Sequence, residues 1–264
     1  MSLGNQIAAN LPYLRRYARA LTGSQASGDA YVREMLEAVV ADPALMASIE
    51  GGRVPLYRVF TKVWASAQFA EAPAGAGTSE HEAGAQLRLG TIAPPARQAL
   101  LLTTLEDFTT AQAAEIMGRD PAEIAALVAE AVAEIEAEQK TTVLIIEDEP
   151  LIAMQLEDLV SGLGHAICGT AATRTQAREV VADRMPGLVL ADIQLADGSS
   201  GLDAVEDILA LGSVPVIFIT AYPERLLTGD RPEPTYLVTK PFQEATVRAA
   251  ISQALFFQSS KPLG

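Results

Sequence analysis

Two kinds of hydrophobic spacing divide this chain. Up to about residue 138 the apolar positions recur every three or four residues; beyond it they gather into short unbroken runs. Ile7, Leu11, Leu14, Tyr17, Ala18 and Leu21 mark a first helix that Gly23 stops. Tyr31, Met35, Leu36, Val39 and Val40 mark a second ahead of Asp42-Pro43. Val59, Phe60, Val63 and Trp64 form the apolar face of a third, from Leu56 to Phe69. Small and flexible residues then predict a linker over 70–85. Helical spacing resumes from about Leu87 to Glu138. Pro94-Pro95 opens a helix through Leu100, Leu101, Leu105 and Phe108, and Thr109 or Thr110 caps a short one ending at Met117-Gly118. Asp120, Pro121 and Glu123 start another, with Ile124, Leu127, Val128, Ala131, Val132 and Ile135 along one face. The outline is a helix-turn-helix.

Past residue 140 each of four apolar runs delivers a polar group. Val143–Ile146 leads into Glu147-Asp148-Glu149, Leu188–Ala191 into Asp192, Val216–Ile219 into Thr220, and Tyr236–Val238 towards Lys240-Pro241-Phe242. Such runs, alternating with helical patterns, predict buried parallel strands, and Ala166-Ile167-Cys168 reads as a further strand. In open parallel sheets the working residues collect at the carboxyl ends of the strands. Carboxylates gathered there repel one another unless a cation sits among them. Oxygen ligands that are few and partly exposed suit Mg2+. A carboxylate beside that ion can take up a phosphoryl group, with Lys240 neutralising the charge on its oxygens and Thr220 donating a hydrogen bond to the product.

At these positions the chain resembles the receiver domain of two-component response regulators, over residues 142–258. The resemblance implies a flavodoxin-like α/β fold on a five-stranded parallel sheet. It makes Asp192 the phosphoacceptor, Thr220 the switch hydroxyl and Lys240 the phosphate-binding lysine. It assigns Mg2+ to Asp148 directly, to Glu147 through water, to Asp192, and to the main-chain carbonyl of Gln194. The chain departs from that family where many receivers carry an aromatic switch residue, three positions before the lysine. Leu237 stands there, with Tyr236 one earlier. Gly229, Pro232 and Pro234 make the stretch after Thr220 poor material for a regular helix and favour a loop or a short one.

Composition narrows the rest. The 264 residues suit about two domains, and 49% hydrophobic content supplies real cores. No apolar run reaches membrane-spanning length and no signal segment is visible, which places the expectation in the cytoplasm. One cysteine, Cys168, expected to be buried, and two histidines leave little for disulfides, zinc or histidine triads. The net charge of −14 opposes nucleic acid, although Arg15, Arg16, Arg19, Arg33, Arg53, Arg58 and Lys62 all fall in the first 65 or so positions.

Two further resemblances cover the front half. Residues 8–69 are similar to region 2 of extracytoplasmic-function sigma factors, through Leu11-Pro12-Tyr13-Leu14-Arg15-Arg16-Tyr17-Ala18-Arg19-Ala20-Leu21-Thr22-Gly23. Residues 87–138 are similar to region 4, through Pro-Pro-Ala-Arg, Leu-Leu-Leu and Phe108-Thr109-Thr110-Ala111-Gln112-Ala113-Ala114-Glu115-Ile116-Met117-Gly118. The expected boundaries are 1–69 and 86–138, both all-α. Yet the helix from Pro121 to Glu138 contains no Lys, Arg, Asn or Gln, the residues that read base edges and phosphates. Its polar groups are Glu123, Glu130, Glu134, Glu136 and Glu138, so it is expected not to bind DNA.

A sigma-like half followed by a receiver resembles the PhyR-type anti-anti-sigma response regulators of the general stress response. The resemblance implies a non-enzymatic switch. A sensor histidine kinase phosphorylates Asp192, and the receiver loosens an intramolecular hold on the sigma-like half. That half then captures a small helical anti-sigma factor and frees the genuine sigma factor. The partner is expected between the two sigma-like parts, which the 70–85 linker lets separate. The alternatives left open are a DNA-binding regulator that uses the basic first 65 residues, and an enzymatic or RNA-binding output.

Overall fold

A computed structural model describes residues 3–70, 95–137, 140–195, 198–221, 223 and 235–259, with side chains except at 67–70, 136–137 and 257–259. The expected linker at 70–85, apart from its first residue, and the expected loop or short helix after Thr220, up to 234, apart from Ala221 and Pro223, lie outside them. The chain forms two compact units, one reaching Val132 and one spanning Ala133–Ser259.

Capping residues set out the first unit. Helix α1 (Leu3–Thr22) ends at Gly23, whose φ of 66° suits a residue without a Cβ. The Ser24 hydroxyl caps α2 (Gln25–Ala41), and the Asp42 carboxylate caps α3 (Pro43–Ser48), with Pro43 in its first turn. Helix α4 is Arg53–Ala70 and α5 is Pro95–Thr104. A reciprocal box between Thr109 and Gln112 opens α6 (Thr110–Met117), and left-handed Gly118 closes it before α7 (Pro121–Ala137). The short α3 was not anticipated. The helix expected through Leu105 and Phe108 stops at Thr104, and a turn with Asp107 at positive φ follows.

The core of this unit joins the two sigma-like parts. Leu14, Tyr17 and Leu21 of α1, Met35 of α2, and Tyr57 and Phe60 of α4 are fully buried. The Tyr57 ring stands edge-on to Phe108 at 4.9 Å between centroids, and α4 packs against α6. Two positions of the predicted apolar faces do not reach this core: Val40 is 74% exposed and Val132 44%. Gly28 lets α2 lie against the α1 backbone, because a Cβ there would sit 2.6 Å from the Arg19 nitrogen.

The second unit is a five-stranded parallel sheet in the order β2-β1-β3-β4-β5, from β1 (Thr142–Ile146), β2 (Ala166–Ala171), β3 (Leu188–Ala191), β4 (Val216–Thr220) and β5 (Tyr236–Thr239). The intervening helices are α8 (Pro150–Gly162), α9 (Arg174–Asp183) and α10 (Gly201–Leu211), with α11 (Glu244–Ser259) last. Alternation along the strands sorts the side chains between two faces. Leu144, Ile146, Val189, Ala191, Phe218 and Leu237 pack on one face with Ala177 and Val181 of α9 and Ala204, Val205 and Ile208 of α10. Helices α8 and α11 contact the sheet as well, and the Tyr236 hydroxyl donates to the Gln253 carbonyl of α11 at 3.4 Å. Cys168 lies on edge strand β2 and is half-buried instead of buried, since an edge strand has a neighbour on one side only. Among the described residues no helix is long and apolar enough to cross a membrane.

Candidate phosphoacceptor site

Parallel register brings the ends of β1, β3, β4 and β5 to one edge of the sheet. Ile146 pairs with Ala191, so Glu147 and Asp192 emerge side by side, and Thr220 pairs with Thr239, one residue before Lys240. The Lys240 backbone N–H donates to the Thr220 carbonyl at 2.7 Å, which ties the β5 exit to the β4 exit. Asp192 is anchored by its own N–H donating to the Ile146 carbonyl at 2.8 Å.

The side chains converge on the lysine. Its ammonium donates to Asp192 Oδ2 at 2.7 Å, and it lies 2.8 Å from Glu147 Oε2 and 3.6 Å from Glu149 Oε1. The other carboxylate oxygen of Asp192, Oδ1, accepts from the N–H groups of Ile193 at 2.5 Å and Gln194 at 3.3 Å. Gln194 also bridges to Ser200 across the loop. Gly201 closes that loop: a Cβ there would overlap the Asp192 carbonyl oxygen, so only glycine lets α10 start this close to Asp192. Thr220 is buried at the end of β4.

Electrostatics follow from this crowding. Burial pushes the Glu147 carboxyl above its ordinary value and Asp192 adds to that, against the opposing pull of Lys240. Burial alone would lower Lys240, but the hydrogen bonds and charges of Asp192 and Glu147 outweigh it and hold the ammonium above its usual range. Glu147, Asp148 and Asp192 each offer one oxygen, all within 4.8 Å of one another. Among the described residues the buried Glu147 Oε2 faces the Lys240 ammonium alone, at 2.8 Å, which leaves a lone pair open. A buried carboxylate oxygen with an open lone pair, among oxygen donors alone, fits a hard divalent cation.

The structure therefore places Glu147, Asp148, Asp192 and Lys240 in one cluster, with Thr220 at the neighbouring strand end and Gln194 on the Asp192 loop. Reasoning from the sequence gave no separate role to Glu149 and none to Gly201. Glu149 follows the acidic pair directly, and Gly201 follows a Ser-Ser step that caps α10, so both signals were local.

Models of known families match along nearly the whole chain. The Sigma2 domain of PhyR matches residues 7–61, the sigma-like domain of the response regulator PhyR residues 89–138, and the response regulator receiver domain residues 143–252. The Phyllosphere-induced regulator PhyR of Methylorubrum extorquens is 54% identical over 98% of this chain and 97% of its own length. The crystal structure of PhyR from Brucella abortus superposes with a TM-score of 0.85 at 49% identity, covering 98% of this chain and 96% of that one. The anti-anti-sigma factor PhyR from Bartonella quintana does so at 0.85 and 48%, covering 98% and 97%. A receiver with an acidic cluster typical of a Mg2+-dependent phosphorylation site thus follows two sigma-like parts in the order and proportion of these relatives, and the chain belongs to the PhyR family of response regulators.

Proposed function

We propose that this chain is a phosphorylation-gated anti-anti-sigma factor of the cytoplasm, with a region-2-like part at 1–69, a region-4-like part at 86–138 and a receiver at 142–258. An oxygen of Asp192 attacks the phosphorus of a kinase phosphohistidine. The P–N bond breaks and the pair of electrons leaves with the histidine nitrogen. Lys240, already on Asp192, follows the new phosphoryl oxygens, and the Thr220 hydroxyl donates to them. Glu147, Asp148, Asp192 and the Gln194 carbonyl would hold a Mg2+ ion that draws charge from those oxygens in the transition state. The acyl phosphate adds about −1.5 to −2 charges, enough to shift the receiver between two arrangements.

One observation carries the reading of the output. Five of the six arginines that gave the first 65 residues their basic look are paired with acids of their own unit: Arg15 and Arg19 with Asp29, Arg16 and Arg53 with Glu106, Arg58 with Glu115. Helix α7 meanwhile exposes Ala122, Glu123, Ala125, Ala126, Ala129 and Glu130. Such a surface repels phosphates and suits a protein partner, which disfavours the DNA-binding alternative.

The partner suited to a sigma-like surface that avoids DNA is an anti-sigma factor, in keeping with the Bartonella quintana relative, itself an anti-anti-sigma factor. The test is capture of a NepR-type anti-sigma factor, the partner in a co-crystal of that relative, with and without acetyl phosphate. Capture that rises with the phosphoryl donor in the native chain and stays low in Asp192→Asn supports the proposal. Equal capture in both states rejects the gating, and a salt-dependent shift of promoter DNA rejects the output.

A further inference from the structure

Glu106 lies in the turn between α5 and α6, and its side chain is fully buried. It accepts from Arg16 on α1 through Nε at 3.1 Å and Nη2 at 2.8 Å. It accepts from Arg53 on α4 at 2.7 Å and from the Tyr57 hydroxyl on α4 at 2.7 Å. The same guanidinium groups reach its backbone: Arg16 donates to the Leu105 carbonyl at 2.8 Å and Arg53 to the Glu106 carbonyl at 3.2 Å. Arg53 also stacks over the rings of Phe108 and Tyr57, at 4.8 and 5.6 Å from their centroids. Every donor comes from the region-2-like part and every acceptor from the region-4-like part. Arg58–Glu115 at 3.0 Å closes the same contact at the surface.

We infer that Glu106 clamps the two sigma-like parts into one body, and that the partner binds this body whole without parting it. The inference rests on the anti-sigma reading for the identity of the partner only. One carboxylate satisfied by three side chains allows a single docking geometry, since any shift leaves a buried charge or hydroxyl unpaired. Parting the units would return those charges to water with little net change, but it would also expose the Tyr57 and Phe108 rings. Two such rings oppose opening by roughly a hundred- to ten-thousand-fold. A complete switch from 1:99 to 99:1 uses only about 10⁴-fold in all. Phosphorylation that had to pry this contact open would spend most of its effect there. Glu106 is thus a positioning residue for partner capture, acting through the relative placement of α4 and α6.

The test uses the full chain with Cys168→Ser, so that introduced cysteines are the only thiols. Arg58→Cys and Glu115→Cys are joined by a short bis-maleimide, which ties the two parts together. With beryllofluoride as the phosphoryl mimic, the tethered chain should capture a NepR-type anti-sigma factor within about twofold of the untethered chain. A tenfold or larger loss on tethering alone would overturn the clamp. Should the untethered chain capture nothing, the anti-sigma reading fails and a second arm decides the clamp by itself. Spin labels at Val40→Cys and Ala129→Cys, both exposed, should report one narrow distance distribution that beryllofluoride leaves unchanged. Glu106→Ala should broaden it, or Arg53→Met if that variant does not fold. A distance that moves on activation, or that ignores both substitutions, refutes the inference.

Discussion

Lys240→Met removes the cation that, among the described residues, sits in a cluster of carboxylates, and its cost can be worked from the geometry. The oxygens of Glu147, Asp148 and Asp192 lie within 4.8 Å of one another. At an effective dielectric near 20, each such pair repels by about 3–4 kcal/mol. The native ammonium offsets this through contacts of 2.7 and 2.8 Å to Asp192 and Glu147, whose side chains are 11% and 0% exposed. Removing one partner of a buried pair costs about 3–5 kcal/mol. The 63% exposed Glu149 and the half-buried Asp148 admit solvent, so roughly 2–4 kcal/mol is expected for the receiver unit. For a unit of this size that corresponds to a fall of about 10 °C in its melting transition.

The assay is differential scanning calorimetry of the full chain in EDTA and in excess Mg2+. Trp64 fluorescence serves as a control, because the single tryptophan belongs to the other unit. Mg2+ should stabilise the variant more than the native chain, since the competing ammonium is gone. At a hundred times its dissociation constant a ligand adds about 2.7 kcal/mol, which would close much of the gap. A variant as stable as the native chain in EDTA would refute the account of Lys240 as the neutralising charge. A gap of the same size in EDTA and in Mg2+ would refute the assignment of the metal to these carboxylates.

Alkaline pH should unfold the first unit through its buried phenols. Burial holds Tyr17 and Tyr57 above the ordinary value near 10, so the native state keeps protons that the unfolded chain releases. Stability is then lost as pH rises past 10, by up to about 1.4 kcal/mol per pH unit for each tyrosine, readable in urea titrations followed by Trp64. Asp29→Ala should destabilise the same unit by about 3–5 kcal/mol, because it removes the carboxylate to which the fully buried Arg19 donates at 2.7 and 2.9 Å. A loss under 1 kcal/mol in the same titration would show that the unit does not depend on this pair. Gly201→Ala should lower the receiver transition by about 1–3 kcal/mol and slow phosphorylation by acetyl phosphate, since the added Cβ displaces the Asp192 carbonyl. An unchanged phosphorylation rate would show that the Asp192 loop does not depend on this close approach.

The difference between what the residues announce and what they conceal is a matter of range along the chain. Each side chain of the candidate site follows its strand within a residue or two, and parallel strands share an exit edge, so the strand pattern alone brings Glu147, Asp192, Thr220 and Lys240 together. The caps at Asp42, Thr109 and Gly118 are equally local. Helix α3 has six residues, too few for a periodic signal to separate it from a turn. Periodicity also placed Val40 and Val132 on apolar faces, since it finds such a face without saying how far a neighbour covers it. Glu106 is the sharper case. Its donors lie 90, 53 and 49 positions away, and in the sequence it is one acid in a turn opposite a surplus of arginines. Counted along the chain, those arginines suggest a basic surface; once folded, most of them face carboxylates of their own unit. The sign of a surface is therefore set by which charges tertiary packing removes from it. That is how a region with seven cations in 65 residues can belong to a protein suited to bind a protein partner and not a promoter.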